Sequence, residues 1–141
     1  MPNPKKPRTI SQPPGAYEFR PAGVSQRNAG RVILSIDEYE AMRLIDYDEV
    51  DQSVAAEQLG VSRPTCMRMV ARARRKVAEA LSGGKTIVIE GGPVSFRANR
   101  YRCGTCGHLW SEEEPDEIEN VRCPRCEGSR IIDLAAMGGW R

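Results

Sequence analysis

"AAEQLGVSRPTCMRMVARARRKVAEAL", residues 55–81, is the stretch on which the reading of this chain turns. Extended upstream to Asp51, a plausible N-cap, its first half carries Val54, Ala55 and Leu59 on one helical face, and Gly60 stops it. "GVS" then makes a turn. Ser62 is placed to cap a following helix, and Pro64 is tolerated in that helix's first turn, where its missing N–H has no intrahelical partner. Nothing interrupts the pattern until "SGG" at 82–84, so the spacing predicts a helix of about 20 residues, roughly 30 Å long. Two helices joined by a short Gly-containing turn, the second one basic, match a helix-turn-helix.

The longer helix sorts its side chains by face. Cys66, Met69 or Val70, Ala73, Val77, and Ala80 or Leu81 recur at three- and four-residue steps and define an apolar side. Arg68, Arg72 and Arg75 fall on another side, with Arg63, Pro64 and Met67 at the N-terminal end. A recognition helix presents its N-terminal residues to base edges and its flanking cations to phosphates, and Ser62 and Thr65 can also donate to phosphate. The candidate DNA-binding set is therefore Ser62, Arg63, Pro64, Thr65, Met67, Arg68, Arg72 and Arg75. Cys66, on the apolar side, reads as a small buried hydrophobe, with a redox-sensing thiol as the alternative.

A solvated helix face is the bland explanation for a basic run, and the charge pattern argues against it. Residues 61–85 hold seven bases, five of them arginine, against Glu79 alone. Arginine's planar fork suits phosphate and guanine. Residues 36–60 hold eight acids against Arg43, and residues 1–35 hold six bases against Glu18. A net charge of +2 thus conceals poles of opposite sign, and a positive pole suits an anionic partner.

The rest of the chain is organised around this unit. Residues 1–30, with "QPPG" and "RPAG", read as a basic, Pro-rich, irregular arm, in which Lys5, Lys6 and Arg8 are candidates for further phosphate contacts. "SIDEYEAMRLIDYD" begins with an S-x-x-E capping box, Ser35 and Glu38, and Ile36, Tyr39, Met42, Leu44 and Ile45 give it an apolar stripe. "KTIVIE" at 85–90 reads as a strand, within a β linker spanning 85–100. No apolar run approaches the roughly 18 residues that span a bilayer, and "MPNPKKPRTISQPPG" lacks the apolar core of a secretion signal. A cytoplasmic location is the expectation.

"FRPAG", "LSIDEYEAMRLID" and the quoted 55–81 stretch together resemble an uncharacterised family of small bacterial and archaeal proteins predicted to bind DNA. Its helix-turn-helix is similar to the sigma-factor domain that reads the −35 promoter element. The resemblance covers about residues 17–92, including "EGG". It implies a three-helix DNA-binding domain with Arg63, Pro64, Thr65, Met67 and Arg68 at the reading positions. Cys66 departs from the family pattern, which has a bulkier apolar residue there.

A second motif lies downstream. "CGTC" and "CPRC" place Cys103, Cys106, Cys123 and Cys126 at C-x2-C-x16-C-x2-C spacing. Gly107, Pro124 and Gly128 suit tight knuckles around such pairs. Four thiolates close a tetrahedral shell and leave no open position, so a structural metal is expected rather than a catalytic one. Some 40 residues with few large apolar groups would hardly fold without it. "YRCGTCGHLW…CPRC" also resembles rubredoxin knuckles, and S4 geometry fits zinc or iron; the short spacer favours a zinc ribbon over residues 101–141. His108 is a lesser candidate ligand, and Trp110 reads as the ribbon's packing aromatic. Strand-like pieces are expected near Leu109–Trp110 and Arg130–Leu134. The acidic "EEEPDEIE" at 112–119 would be repelled by phosphate, which directs that end toward solvent or a basic protein surface.

These readings predict a mainly α N-terminal helix-turn-helix domain, residues 31–84, plus a small β zinc ribbon at the C-terminus. The function expected is sequence-specific binding of double-stranded DNA in transcription regulation. A homodimer on a pseudo-palindromic site is the natural arrangement for a short reading helix, and RNA polymerase is a candidate contact. The alternatives are a metal- or redox-responsive regulator and a rubredoxin-like electron-transfer protein. One histidine and no recognisable nucleophile–base pair argue against an enzyme.

Overall fold

The computed structural model describes residues 6–25, 27–114 and 116–137. Within them the chain is a mixed α/β structure of four helices and three small sheets, not the mainly α arrangement expected of its first part. The difference comes from segments around the helices: β1 (Arg8–Ile10), β2 (Glu18–Phe19) and β3 (Arg31–Leu34) all precede the first helix. Of the expected basic arm, Lys5 lies outside the described residues and Lys6 is exposed, but Arg8 is buried. Ile10 is fully buried, and Pro13, Pro14 and Tyr17 are buried with it. The proline-rich stretch breaks helical periodicity, yet its apolar residues fill the core. Arg8 is accordingly withdrawn from the candidate phosphate contacts.

α1 (Ile36–Met42) starts at the expected capping box: Ser35 accepts the Glu38 N–H, and the Glu38 carboxylate accepts the Ser35 N–H. It continues as a π-helical turn, Arg43–Tyr47. α2 (Gln52–Leu59) is capped by Asp51 and ends at Gly60, whose φ of 75° turns the chain. Its inner face is Ala55, Ala56 and Leu59; Val54, expected there, is exposed. α3 (Arg63–Gly83) begins at the Ser62 cap with Pro64 in its first turn. Cys66, Met69, Val70, Ala73 and Ala80 are buried, and Leu81 stands out in solvent. Each large apolar side chain buried here contributes about 1.5–3 kcal/mol over an exposed one.

β4 (Thr86–Ile89) is the middle strand of a sheet ordered β2-β4-β3, antiparallel to β2 and parallel to β3. The expected linker strand therefore belongs structurally with residues before α1. β5 (Val94–Phe96) pairs in parallel with β1. β6 (Asn99–Cys103) is central to the last sheet, between β7 (Leu109–Glu112) and β8 (Ile131–Asp133), with α4 (Leu134–Met137) following. Both expected ribbon strands are present. One apolar cluster joins all parts: Ile10, Leu34, Leu44, Leu59, Met69, Val94 and Leu134 share it, with Leu109 packed against it.

Candidate nucleic-acid interface and metal centre

On α3, the residues at i, i+4 and i+7, Arg68, Arg72 and Arg75, fall on one side of the helix and all three are exposed. Ser62, Arg63 and Pro64 are exposed at the N-terminal end, whereas Thr65 and Met67 are half-buried, Met67 against the core. Arg63 Nε donates to Gln52 Oε1 at 3.0 Å, linking α3 to the start of α2. Arg68 Nη2 donates to Thr65 Oγ1 at 3.1 Å, and Thr65 Oγ1 also accepts from Ser62 Oγ at 2.9 Å. These neutral contacts orient Arg63 and Arg68 and leave their charge uncompensated. Among the described residues, neither Arg68 nor Arg75 has a salt bridge.

The other cations of α3 are held. Glu38, 4% exposed, accepts from Lys76 Nζ at 2.7 Å and from Arg72 Nε at 3.4 Å. Desolvation works against its charge, but the Lys76 ammonium and the Ser35 donors outweigh it and hold the carboxyl below its ordinary range. Asp46 takes Arg74 in a two-bond fork, at 2.6 and 2.9 Å. The structure thus pairs the cations that flank the buried face of α3 and draws Arg72 to Glu38, and it leaves Arg68 and Arg75 unpaired on the outer row.

Of the expected apolar stripe, Ile36 and Leu44 are buried and Tyr39, Met42 and Ile45 pack half-buried against the core, but Asp37, Glu38 and Glu40 are buried too. Their partners account for this. Glu40, fully buried, accepts from Ser11 N–H and from Arg43 Nε, each at 2.6 Å. Asp37 accepts from Ser35 Oγ at 2.5 Å and faces Arg8 Nε at 3.8 Å. The Glu40–Arg43 spacing of three is legible in a sequence. The Glu38–Lys76 and Glu40–Ser11 contacts are not, because nothing local connects them.

The four cysteines converge. Their Sγ atoms all lie within 4.8 Å of one another, with Cys103–Cys126 and Cys106–Cys123 each at 3.6 Å. Zinc–thiolate bonds of about 2.3 Å in a regular tetrahedron place sulfurs about 3.8 Å apart, so the donor set fits one tetrahedral ion. The two knuckles are alike. Thr105 and Cys106 N–H point at Cys103 Sγ (3.3 and 3.4 Å), while Arg125 and Cys126 N–H point at Cys123 Sγ (3.4 and 3.5 Å). The Cys106 amide above all holds the Cys103 thiol down to about 6, in favour of the thiolate. Each knuckle closes through a left-handed residue, Gly107 at φ 79° and Glu127 at φ 61°. Cys103 and Cys123 are buried, Cys106 and Cys126 exposed. His108 stacks on Trp110 with ring centroids 5.7 Å apart, and Trp110 also packs on Tyr101. Cys66, fully buried between the helices, is a core residue whose thiol burial pushes up.

The family model described as "Protein of unknown function DUF134" matches residues 1–97, well over half the chain. The chain belongs to the DUF134 family. Relatives aligned over most of this chain carry the name UPF0251 protein. One from Moorella thermoacetica is 42% identical over 141 residues, covering 100% of this chain and 91% of its own. One from Chloroherpeton thalassium is 39% identical, covering 95% of this chain and 87% of its own. A relative from Methanothermobacter thermautotrophicus is 36% identical, covering 96% of this chain and 69% of its own. No solved structure matches significantly. The DUF134 match stops short of the cysteines, but the relatives align across the region that contains them. No helix among the described residues is long and apolar enough to cross a membrane.

Proposed function

We propose that this DUF134 protein binds double-stranded DNA sequence-specifically through α2, the Gly60–Ser62 turn and α3, as a regulator of transcription, and that the four cysteines hold a structural zinc ion. The observation that carries the reading is the division of charge on α3. Glu38 and Asp46 hold Arg72, Arg74 and Lys76, whereas Arg68 and Arg75 face outward with no acidic partner among the described residues. An ordinary solvated face intersperses both signs; an unpaired arginine row beside a capped helix N-terminus suits phosphates and base edges. Arg68 and Arg63 are the base-reading candidates, Arg75 a phosphate contact, and Arg72 a phosphate contact available once Glu38 keeps only Lys76. The short spacer favours zinc over iron, since the S4 shell suits both, and a protein that is colourless as purified would accord with zinc.

The test is selection of fragmented genomic DNA on the purified protein at two salt concentrations. A sharp motif that survives the higher salt supports specific reading. Binding that is uniform over sequence and erased by salt would reduce the basic helix to non-specific attraction and sink the proposal.

A further inference from the structure

Residues Ser11–Tyr17 lie between the cysteine sheet and the helices, and their polar contacts run to both. On the sheet side, Arg102 Nε and Nη2 donate to the Gly15 carbonyl at 3.3 and 3.0 Å, and Arg100 Nη1 reaches the Pro13 carbonyl at 3.4 Å. The Ser111 hydroxyl bonds Gln12, and the Tyr17 hydroxyl donates to the Leu134 carbonyl at 2.6 Å. On the helix side, Ser11 N–H donates to the buried Glu40 at 2.6 Å, and Ile10 sits in the core shared with α1, α2 and α3. Upstream, Arg8–Ile10 is held as β1 by its pairing with β5, while Arg8 Nε is buried without a hydrogen-bond partner, 3.8 Å from Asp37.

We propose that metal occupancy of the four-cysteine centre governs how firmly Ser11–Tyr17 is seated, and through that segment the order of the helices bearing Arg68 and Arg75. Arg102 immediately precedes the ligand Cys103, and Leu109 begins the strand that leaves the first knuckle. The Cys103 N–H to His108 carbonyl bond, 2.8 Å, closes the β6–β7 hairpin at the knuckle itself. Without a cation among them, the four sulfurs gathered within 4.8 Å are joined from knuckle to knuckle by weak S–H···S contacts at 3.6 Å. With the cation in place the hairpin end is fixed, and with it the arginine fork that grips Gly15. Without it the fork loosens, Ser11 withdraws its N–H from Glu40, and that carboxylate keeps only Arg43 beneath α1. The coupling is reciprocal: whatever the metal adds to the seating of the segment, the seated segment adds to metal affinity.

Amide hydrogen exchange of the reduced, metal-free full chain, with and without added Zn2+, tests this without reference to DNA. Zn2+ is expected to slow exchange at least tenfold at Ser11 and in α1 and α3, as well as across residues 99–133. In Arg102→Ala the cysteine sheet should still respond to Zn2+ while the helices no longer do. Arg102→Lys keeps the charge but loses the fork, and should show an intermediate helix response even if the alanine variant folds poorly. Helix amides indifferent to Zn2+ in the unaltered chain would overturn the proposal, as would a full helix response in both Arg102 variants. Affinity for a selected DNA fragment, measured alongside, should rise with Zn2+; a chain that binds no DNA refutes the DNA reading and leaves the exchange result to stand or fall alone.

Discussion

Replacing Glu40 by Gln removes a charge from the most buried polar position of the helical core. Glu40 is 0% exposed and receives two short donors, Ser11 N–H and Arg43 Nε. Glutamine has one acceptor oxygen for these two donors, and its amide group would face the other. Hydrogen bonds to charged groups contribute about 1.5–3 kcal/mol each. Orphaning a buried ion costs about 3–5 kcal/mol, but Arg43 keeps Asp48 at 2.7 Å and is 16% exposed, so the full penalty does not apply. The expected loss is about 2–3 kcal/mol. Urea unfolding with zinc held saturating should show it as a lower midpoint at unchanged slope, with Tm falling by roughly 6–9 °C for a chain of this size. Glu57→Gln, on the exposed side of α2, is the control and should change stability by less than about 0.5 kcal/mol. A Glu40→Gln loss below about 1 kcal/mol with the same slope would show that Glu40 is not the anchor between the N-terminal segment and α1.

Arg68→Ala should cost about 1–3 kcal/mol of DNA affinity and relax selectivity at one base pair; an unaltered selected motif would contradict a base-reading role. Glu127 closes the second knuckle at φ 61°, where Gly107 closes the first, so Glu127→Gly should relieve about 0.5–1 kcal/mol of backbone strain and bind zinc a few-fold more tightly. Competition against a chromogenic chelator measures this, and weaker binding would count against the strain argument. The Glu38 carboxyl is held below its ordinary value of 4.5 by Lys76 and Ser35 against the pull of desolvation, so its stabilisation is complete above that value and is lost as pH falls through the depressed one. The Glu38 contribution to stability should therefore be constant from neutrality to about 5 and fall below about 4.5, so the difference in stability between the unaltered chain and Glu38→Gln should shrink over that lower range in a chemical-denaturation series.

How much was legible depended on the range of the interaction. The capping box at Ser35–Glu38, the caps at Asp51 and Ser62, the Gly60 stop and the extent of α3 all follow from contacts within four residues. The four-cysteine cluster was also legible, because one tetrahedral ion requires four thiolates and paired CxxC spacing brings two from each knuckle. Residues 1–30 were misread for a related reason. Proline and glycine abolish periodicity, and periodicity is what reports burial; Pro13 and Pro14 are buried all the same.

By itself, then, the sequence determined α1, α2 and α3, their caps, the apolar face of α3 with Cys66 inside it, and the four-cysteine cluster. Tertiary structure alone decided which charges are free. Arg68 and Arg72 sit four residues apart on one helix and look equivalent in the chain, yet only Arg72 lies within reach of Glu38, which is 34 residues away. It also decided that the cysteine sheet is not a separate appendage, since Arg102 and Gly15 meet across 87 residues. A charge pair or a buried strand gains its energy from proximity after folding, and no local pattern encodes a partner so distant along the chain.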